Sequence, residues 1–208
     1  YQSARDFKLD LRVRGIMASK KMLLSDKGVD LGNWAGEFGG ATQAPDLAKF
    51  IAHVHVDYLP HTVLIDCTAS GDVAQHYASW LAAGIHVVTP NKKANSAPLA
   101  AYRALHDARR LAGTHYLYEA TVGAGLPVIQ TLRDLRETGD DITSIEGIFS
   151  GTLAYLFNVY DGSVPFSDIV RDAKQRGYTE PDPRDDLSGT DVARKLIILA
   201  REMGLTLE

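Results

Sequence analysis

Polar and apolar positions change period several times along this chain, and each change predicts an element. Over Lys8–Met17 they alternate, with Leu9, Leu11 and Val13 on one face and Asp10, Arg12 and Arg14 on the other, the signature of a half-buried strand. Asp46–Tyr58 has helical spacing, and Val63–Cys67 is a short apolar run of the kind that forms a strand buried on both faces. A helix is predicted over Asp72–Ala83, stopping at Gly84, then a strand at His86–Thr89, a helix over Pro98–Leu111 and an extended piece at His115–Tyr118. Strand, helix and strand in repetition predict a parallel α/β sheet covered by helices on both faces.

The pattern changes near Glu119. Pro127–Glu137 reads as an amphipathic helix, Ile142–Phe149 as an alternating strand, and Thr152–Tyr160, Phe166–Arg176 and Thr190–Met203 as helices. Two regions are therefore expected, residues 1–118 and an α+β region over 119–208.

Charge gathers in one place. Between Gly177 and Lys195 the chain carries five carboxylates, Glu180, Asp182, Asp185, Asp186 and Asp191, together with Lys195 itself. Pro181 and Pro183 are expected to keep the first four on a stiff, non-helical loop, while Asp191 and Lys195 stand four apart on the last helix. On an exposed helix such a pair is worth only about 0.2–0.5 kcal/mol. Here Val192, Ala193, Leu196, Ile197, Leu199 and Ala200 already form one apolar face, and Ile198 falls beside Asp191 and Lys195, so the charged face is expected to be covered too. A covered acid and lysine cluster beside a stiff loop suits a binding site better than a solvated surface.

Composition narrows the choice. With 208 residues, 45% of them hydrophobic, the chain can bury a substantial core, and a net charge of −4 gives no footprint for nucleic acid or an anionic membrane. No apolar run approaches the roughly 18–20 residues that span a bilayer. The single cysteine, Cys67, rules out an intrachain disulfide, and no signal-peptide pattern opens the chain, which together favour the cytoplasm. The seven histidines show no metal-ligand spacing, so no zinc site is expected.

The dinucleotide fingerprint Gly-x-Gly-x-x-Gly is missing, since Gly39-Gly40 and Gly123-Ala124-Gly125 lack its spacing and context. If the sheet is of Rossmann type, its first strand and glycine-rich turn are expected before Tyr1, and Lys8–Met17 becomes its second strand. After that strand stand Ser19, Lys20 and Lys21 in place of an acidic residue for an adenosine ribose. Basic side chains there suit a 2′-phosphate.

Four further clusters follow in order. Asp66–Ser70 and Thr89–Ala94 close two predicted strands, at the edge where open parallel sheets bind ligands. Glu119–Pro127 joins the two regions, and Gly147–Leu153 turns a strand into a helix. Taken with the acidic loop, this series resembles homoserine dehydrogenase, most closely the dehydrogenase part of the enzymes fused to an aspartokinase. The resemblance is specific from about His61 to Glu202 and weaker over Leu9–Asp57, where Asn33-Trp34 and Glu37-Phe38 are similar to the fused enzymes.

The resemblance implies an incomplete Rossmann-type nucleotide-binding region at 1–118 and a substrate-binding and dimerisation region at 119–208, with a carboxyl-terminal segment of the enzyme beyond Glu208. It implies NAD(P)-dependent interconversion of L-homoserine and L-aspartate 4-semialdehyde, on the route to threonine, methionine and isoleucine, with NADP favoured over NAD. By position it makes Lys195 the general acid/base or the cation at the reacting oxygen, Lys92 a second lysine, and Asp191 the group that orients Lys195 or contacts substrate. Glu180 and Asp186 would hold the substrate's α-ammonium. Thr68, Ser70, Thr89, Asn91 and Lys92, with Ser19 and Lys20, would contact the cofactor. Glu119, Val122, Ala124 and Leu126 match positions that bind a monovalent cation, Na+, mainly through backbone carbonyls. A simpler account of that loop is a tight hinge with Gly123 and Gly125 at positive φ. The implied partners are a small amino-acid substrate, a second copy in a homodimer or higher homo-oligomer, and a fused aspartokinase, with no nucleic acid and no membrane. Two lysine ammonium groups near each other, partly buried, are expected to lower each other's pKa.

Other readings stay open. An acylating semialdehyde dehydrogenase needs a cysteine nucleophile and a histidine base, and Cys67, expected to be a buried small hydrophobe, has no histidine in its local sequence. A non-catalytic dimerisation module, or an inactive fragment, would share the fold without the chemistry.

Overall fold

The computed structural model describes residues 9–208, so Lys8, the first residue of the predicted opening strand, lies outside them. Contact density divides the chain into two compact units, Tyr1–Thr62 and Val63–Glu208, a division that differs from the expected functional boundary near Glu119.

In the first unit β1 (Gly15–Met17) and β2 (Met22–Leu24) pair antiparallel, with Ile16 opposite Leu23. Helices α1 (Trp34–Gly39) and α2 (Leu47–Val54) follow. The Asp46 carboxylate caps α2 by accepting the Lys49 N–H at 2.9 Å. Gly15 is required by a close approach, because a Cβ there would stand 2.6 Å from the Phe50 ring. Two expectations are corrected. The strand covers only the end of 8–17, and it joins an antiparallel pair rather than the parallel sheet, because the tight turn closed by Ala18 N–H on the Lys21 carbonyl returns the chain at once. The predicted faces are also reversed in part: Leu11 is 72% exposed and Arg14 is buried. The Arg14 guanidinium donates to the carbonyls of His53 at 3.1 Å and Asp26 at 3.2 Å, and these bonds permit its burial.

The second unit carries a three-stranded sheet in the order β3 (Thr62–Ile65), β4 (Ile85–Val88), β5 (Tyr116–Leu117), with β4 and β5 parallel. Short helices α3 (Gly71–Ala74) and α4 (Tyr77–Ala82) connect β3 to β4, and α5 (Leu99–Ala112) connects β4 to β5. The single helix predicted over 72–83 is broken where the His76 N–H bonds the Val73 carbonyl, three residues back. Tyr77, Leu81, Ile85, Val87 and Tyr116 have no exposed surface and form the core. β3 is not buried on both faces as expected. It is the sheet's edge, with Thr62 and Leu64 inward and Val63 and Ile65 exposed by 55% and 68%.

Beyond a 3-10 turn at Glu119–Thr121 come α6 (Val128–Glu137), α7 (Gly151–Val159), α8 (Phe166–Gln175), α9 (Pro183–Leu187) and α10 (Thr190–Glu202). Ser150 caps α7 by accepting the Leu153 N–H at 3.0 Å. Leu156, Ile169 and Ala173 make a smaller apolar cluster where α7 meets α8. The strand predicted at Ile142–Phe149 does not form, and Ile148 is 83% exposed. Alternation predicts a pleated face but supplies no partner, and among the described residues no strand pairs with this segment. No helix among the described residues is long and apolar enough to cross a membrane.

Candidate active site

An open cleft of about 450 Å³ in the second unit is lined on one side by Cys67, Thr68, Pro90, Asn91 and Lys92, and on the other by Glu180, Asp182, Asp185, Asp191 and Arg194. The first group lies in the loops after β3 and β4, at the carboxyl ends of the strands. The second comes from the acidic segment and the first turns of α10.

Asp191 is the centre of this arrangement. It is buried, and its two carboxylate oxygens are shared: Oδ1 lies 3.0 Å from Lys92 Nζ and Oδ2 lies 2.7 Å from Lys195 Nζ. Lys92 also meets Glu180 Oε1 at 3.2 Å, and Lys195 donates to the Phe149 carbonyl at 2.7 Å. Burial opposes ionisation of Asp191, but the Lys195 and Lys92 ammonium groups outweigh it and hold the carboxyl below the usual carboxylate range. Burial likewise favours a neutral Lys92, and the carboxylates of Asp191 and Glu180 outweigh it and raise its pKa above the ordinary lysine value. The expected lowering by a neighbouring lysine is therefore not found at Lys92, because a carboxylate bridges the two cations.

The acidic segment differs from the stiff loop expected of it. Asp185 and Asp186 lie on α9, which begins at Pro183 after the Asp182 cap. Proline is well placed at the first helical position, where its missing N–H would have had no intrahelical partner. Asp186 is 2% exposed and turns inward, accepting the Glu180 N–H at 2.8 Å, so it sets the backbone beneath Glu180. The last helix does cover its charged face: Asp191 and Ile198 are buried, whereas Leu196, on the apolar face, is 46% exposed.

Of the residues expected to meet a cofactor, Thr68 is exposed at the cleft. Thr89 and Asn91 are buried and hold the two loops together. The Thr89 hydroxyl donates to the Asp66 carbonyl at 2.8 Å, and the Asn91 amide donates to the Ser70 carbonyl at 2.9 Å and to Asp66 Oδ2 at 3.2 Å. Ser70 caps α3, accepting the Val73 N–H at 3.3 Å. Ser19 and Lys20 are exposed in the β1–β2 turn of the first unit. Sequence reasoning missed the organising role of Asp66, whose carboxylate accepts from the Tyr77 hydroxyl, the Thr68 N–H and Asn91. Its place at a strand end was visible, but Tyr77 was not an obvious partner. Tyr77 is fully buried, and burial with the Asp66 hydrogen bond pushes its pKa well above the ordinary tyrosine value. Cys67 is exposed, which corrects its expected burial, since it lies past the end of β3 and not within it.

The loop expected to hold a monovalent cation ties into α6. Both Glu119 carboxylate oxygens accept N–H groups at the start of α6, from Ile129 at 2.8 Å and Gln130 at 2.9 Å. Gly123 and Ala124 have φ of +79° and +51°, so the second left-handed residue is Ala124 and not Gly125 as expected. Among the described residues no group of three or more His, Cys, Asp or Glu side chains could hold a metal ion. The donors of this loop are carbonyls and one carboxylate, an all-oxygen set that fits a hard monovalent cation.

Residues 2–119 match the family model described as the NAD binding domain of homoserine dehydrogenase, which places the chain in the class of nicotinamide-dependent dehydrogenases. Residues 127–208 match the model described as homoserine dehydrogenase. With both models matched in succession, the chain belongs to the homoserine dehydrogenase family. It is 61% identical over 201 residues to a chloroplastic bifunctional aspartokinase/homoserine dehydrogenase of Zea mays, covering 96% of this chain and 22% of that protein. It is similar to the solved homoserine dehydrogenase of Thermoplasma acidophilum, with 25% identity, a TM-score of 0.75, and coverage of 99% of this chain and 64% of the other. A hyperthermophilic archaeal homoserine dehydrogenase solved with NADPH shares the fold, at 24% identity and a TM-score of 0.79, covering all of this chain and 65% of that one.

Proposed function

We propose that this chain supplies the substrate half, and part of the nicotinamide half, of an enzyme that interconverts L-homoserine and L-aspartate 4-semialdehyde. The observation that carries this reading is the Asp191 carboxylate bridging Lys92 and Lys195, with Asp191 and Lys92 lining the cleft. A bound nicotinamide supplies or accepts the hydride. The chain's own task is to hold the aldehyde carbon, polarise its oxygen and move one proton. Lys195 is assigned to the reacting oxygen, with Asp191 fixing its ammonium and Lys92 completing the cationic wall. Glu180, which is partly exposed at the cleft, is assigned to the substrate's α-ammonium. Asp186 supports this assignment from behind through the Glu180 N–H.

The finer points are proposals of the same kind. NADP is favoured over NAD, on the strength of Ser19 and Lys20. Na+ is assigned to Glu119, Val122, Ala124 and Leu126, and residues 1–118 and 119–208 are taken as the two functional regions. The chain spans 22% of the length of its maize relative, whose name includes an aspartokinase, so a fused kinase and a homo-oligomer belong to the same proposal. The cytoplasm is proposed as its compartment, although that relative is named chloroplastic.

The test is a homoserine-dependent absorbance assay with each cofactor, run on this chain and on a form extended to the relatives' length, with and without Na+. Turnover in the extended form, faster with NADP, is the expected result. Absence of turnover with either cofactor, despite a folded protein, would leave a non-catalytic module.

A further inference from the structure

Lys92, which lines the cleft, and Lys195 reach Asp191 from different segments. Lys195 shares α10 with it, whereas Lys92 comes from the irregular stretch between β4 and α5. That stretch must be fixed if Lys92 is to keep its 3.0 Å contact. Its first part is fixed by Thr89 and Asn91, through Asp66 and Ser70. Its second part is held from the far end of α10.

Arg201 is 3% exposed, and its Nη1 donates to the Asn95 carbonyl at 2.7 Å and the Ala97 carbonyl at 2.8 Å. Its Nε and Nη2 donate to the Leu207 carbonyl at 3.2 and 2.8 Å, and its guanidinium carbon lies 4.7 Å from the Tyr102 ring centroid. None of these partners is a carboxylate. Burial opposes the Arg201 charge and the Glu208 carboxylate favours it, and a planar guanidinium is the side chain able to span two carbonyls at once. Between those carbonyls sits Ser96, whose N–H and hydroxyl both donate to the Lys92 carbonyl, at 3.0 and 2.9 Å. Lys92 to Ala97 is thus one closed turn, and a shift at Asn95 or Ala97 is passed to Lys92.

We propose that Arg201 is a positioning residue, clamping the turn that carries Lys92 to the carboxyl end of the helix whose amino end carries Asp191 and Lys195. Helix α10 then acts as a ruler that sets the Lys92 ammonium against Asp191. The effect on turnover rests on the function proposed above, whereas the effect on Lys92 does not.

The experiment follows reductive methylation of Lys92 and Lys195 by mass spectrometry, at fixed pH, in the enzyme and in Arg201→Met, Arg201→Lys and Glu202→Gln. Loss of the clamp should speed methylation of Lys92 severalfold and leave Lys195, tied to Phe149 and Asp191, at its normal rate. Arg201→Lys should fall between, since one ammonium cannot fork across both carbonyls. Glu202→Gln should leave Lys92 unchanged, because that carboxylate serves Tyr118 and Arg133. In steady-state assays Arg201→Met should lower kcat by about 10- to 100-fold with little change in cofactor KM, the scale expected of a displaced catalytic group. Equal acceleration at both lysines would mean general loosening and overturn the clamp, as would unchanged methylation of Lys92 in a folded variant. Should Arg201→Met not fold, the Lys variant decides by the same readings. An enzyme that does not oxidise homoserine would fail the function while leaving the methylation result to decide the clamp.

Discussion

The two ends of α10 handle charge in opposite ways. At the amino end, Asp191 pairs with both Lys195 and Lys92, and Lys92 pairs in turn with Glu180, beside an open cleft. At the carboxyl end, Arg201 is buried against main-chain carbonyls with its guanidinium over the Tyr102 ring, while the buried Glu202 accepts the Tyr118 hydroxyl and lies 3.7 Å from Arg133. Groups paired with other side chains at a cleft can exchange partners when a charged substrate arrives. Groups satisfied by backbone carbonyls cannot move without moving the fold. One helix therefore presents exchangeable charge at one end and anchors itself with fixed charge at the other.

The largest expected effect breaks the exchangeable end. Lys195→Ala should lower kcat by about 10²–10⁴-fold while cofactor affinity stays nearly unchanged, the range for a lost acid/base group. A normal turnover number in that variant would remove Lys195 from the mechanism. Next is the bridge between the cations. Asp191→Asn leaves Lys92 with Glu180 alone, so the Lys92 pKa should drop, read as faster methylation at a fixed pH below its normal pKa. The same change should cost about 2 kcal/mol of stability in denaturant unfolding, less than for a fully buried pair because both lysines are partly exposed.

The fixed end has its own pH signature. The His106 ring lies 4.3 Å from that of Tyr102, tilted by 46°, its Nε2 is buried without a hydrogen-bond partner, and burial, with Arg109, Arg133 and Arg201 nearby, lowers its pKa from 6.5 to about 4. Between those values the unfolded chain binds a proton that the native chain refuses. Stability contributed by neutral His106 is thus complete above pH 6.5 and is lost as pH falls towards 4, by up to about 3 kcal/mol. In His106→Leu that loss should be absent, so the wild-type minus variant difference in unfolding free energy should fall by up to about 3 kcal/mol as pH drops from 6.5 towards 4. If both proteins lose stability in parallel, the imidazole is not the group responsible. The smallest effect is expected at Cys67→Ser, which should leave activity within a few-fold. A hundredfold loss would point to a thiolate mechanism instead.

Much of this site was legible before any fold was known. Lys92, Glu180, Asp191 and Lys195 were named through the family resemblance and lie together in the structure, and Ile198 beside two charges indicated that the acidic face of α10 is covered. The local failures have local causes. Pro183 was read as preventing a helix when it starts one, and Ile142–Phe149 was read as a strand from alternation that has no pairing partner among the described residues. Asp186 looked equivalent to its acidic neighbours, but its carboxylate is used by the Glu180 N–H.

Sequence alone determined most of the longer helices, that the strand ends would carry polar loops, and that Asp191 and Lys195 would share a covered helix face, because hydrophobic period, capping and motif spacing are properties of neighbours along the chain; it did not show the short helices Trp34–Gly39 and Pro183–Leu187. Only the tertiary structure decided that one carboxylate would bridge two lysines, that Asp66 would join two loops through Tyr77 and Asn91, and that Arg201 would reach Asn95 and Ala97. Apart from the Asp191–Lys195 pair four residues apart, those contacts join residues 11 to 106 positions apart. Burial makes an unpaired polar group expensive, so the partner is chosen by what the packed fold brings within reach.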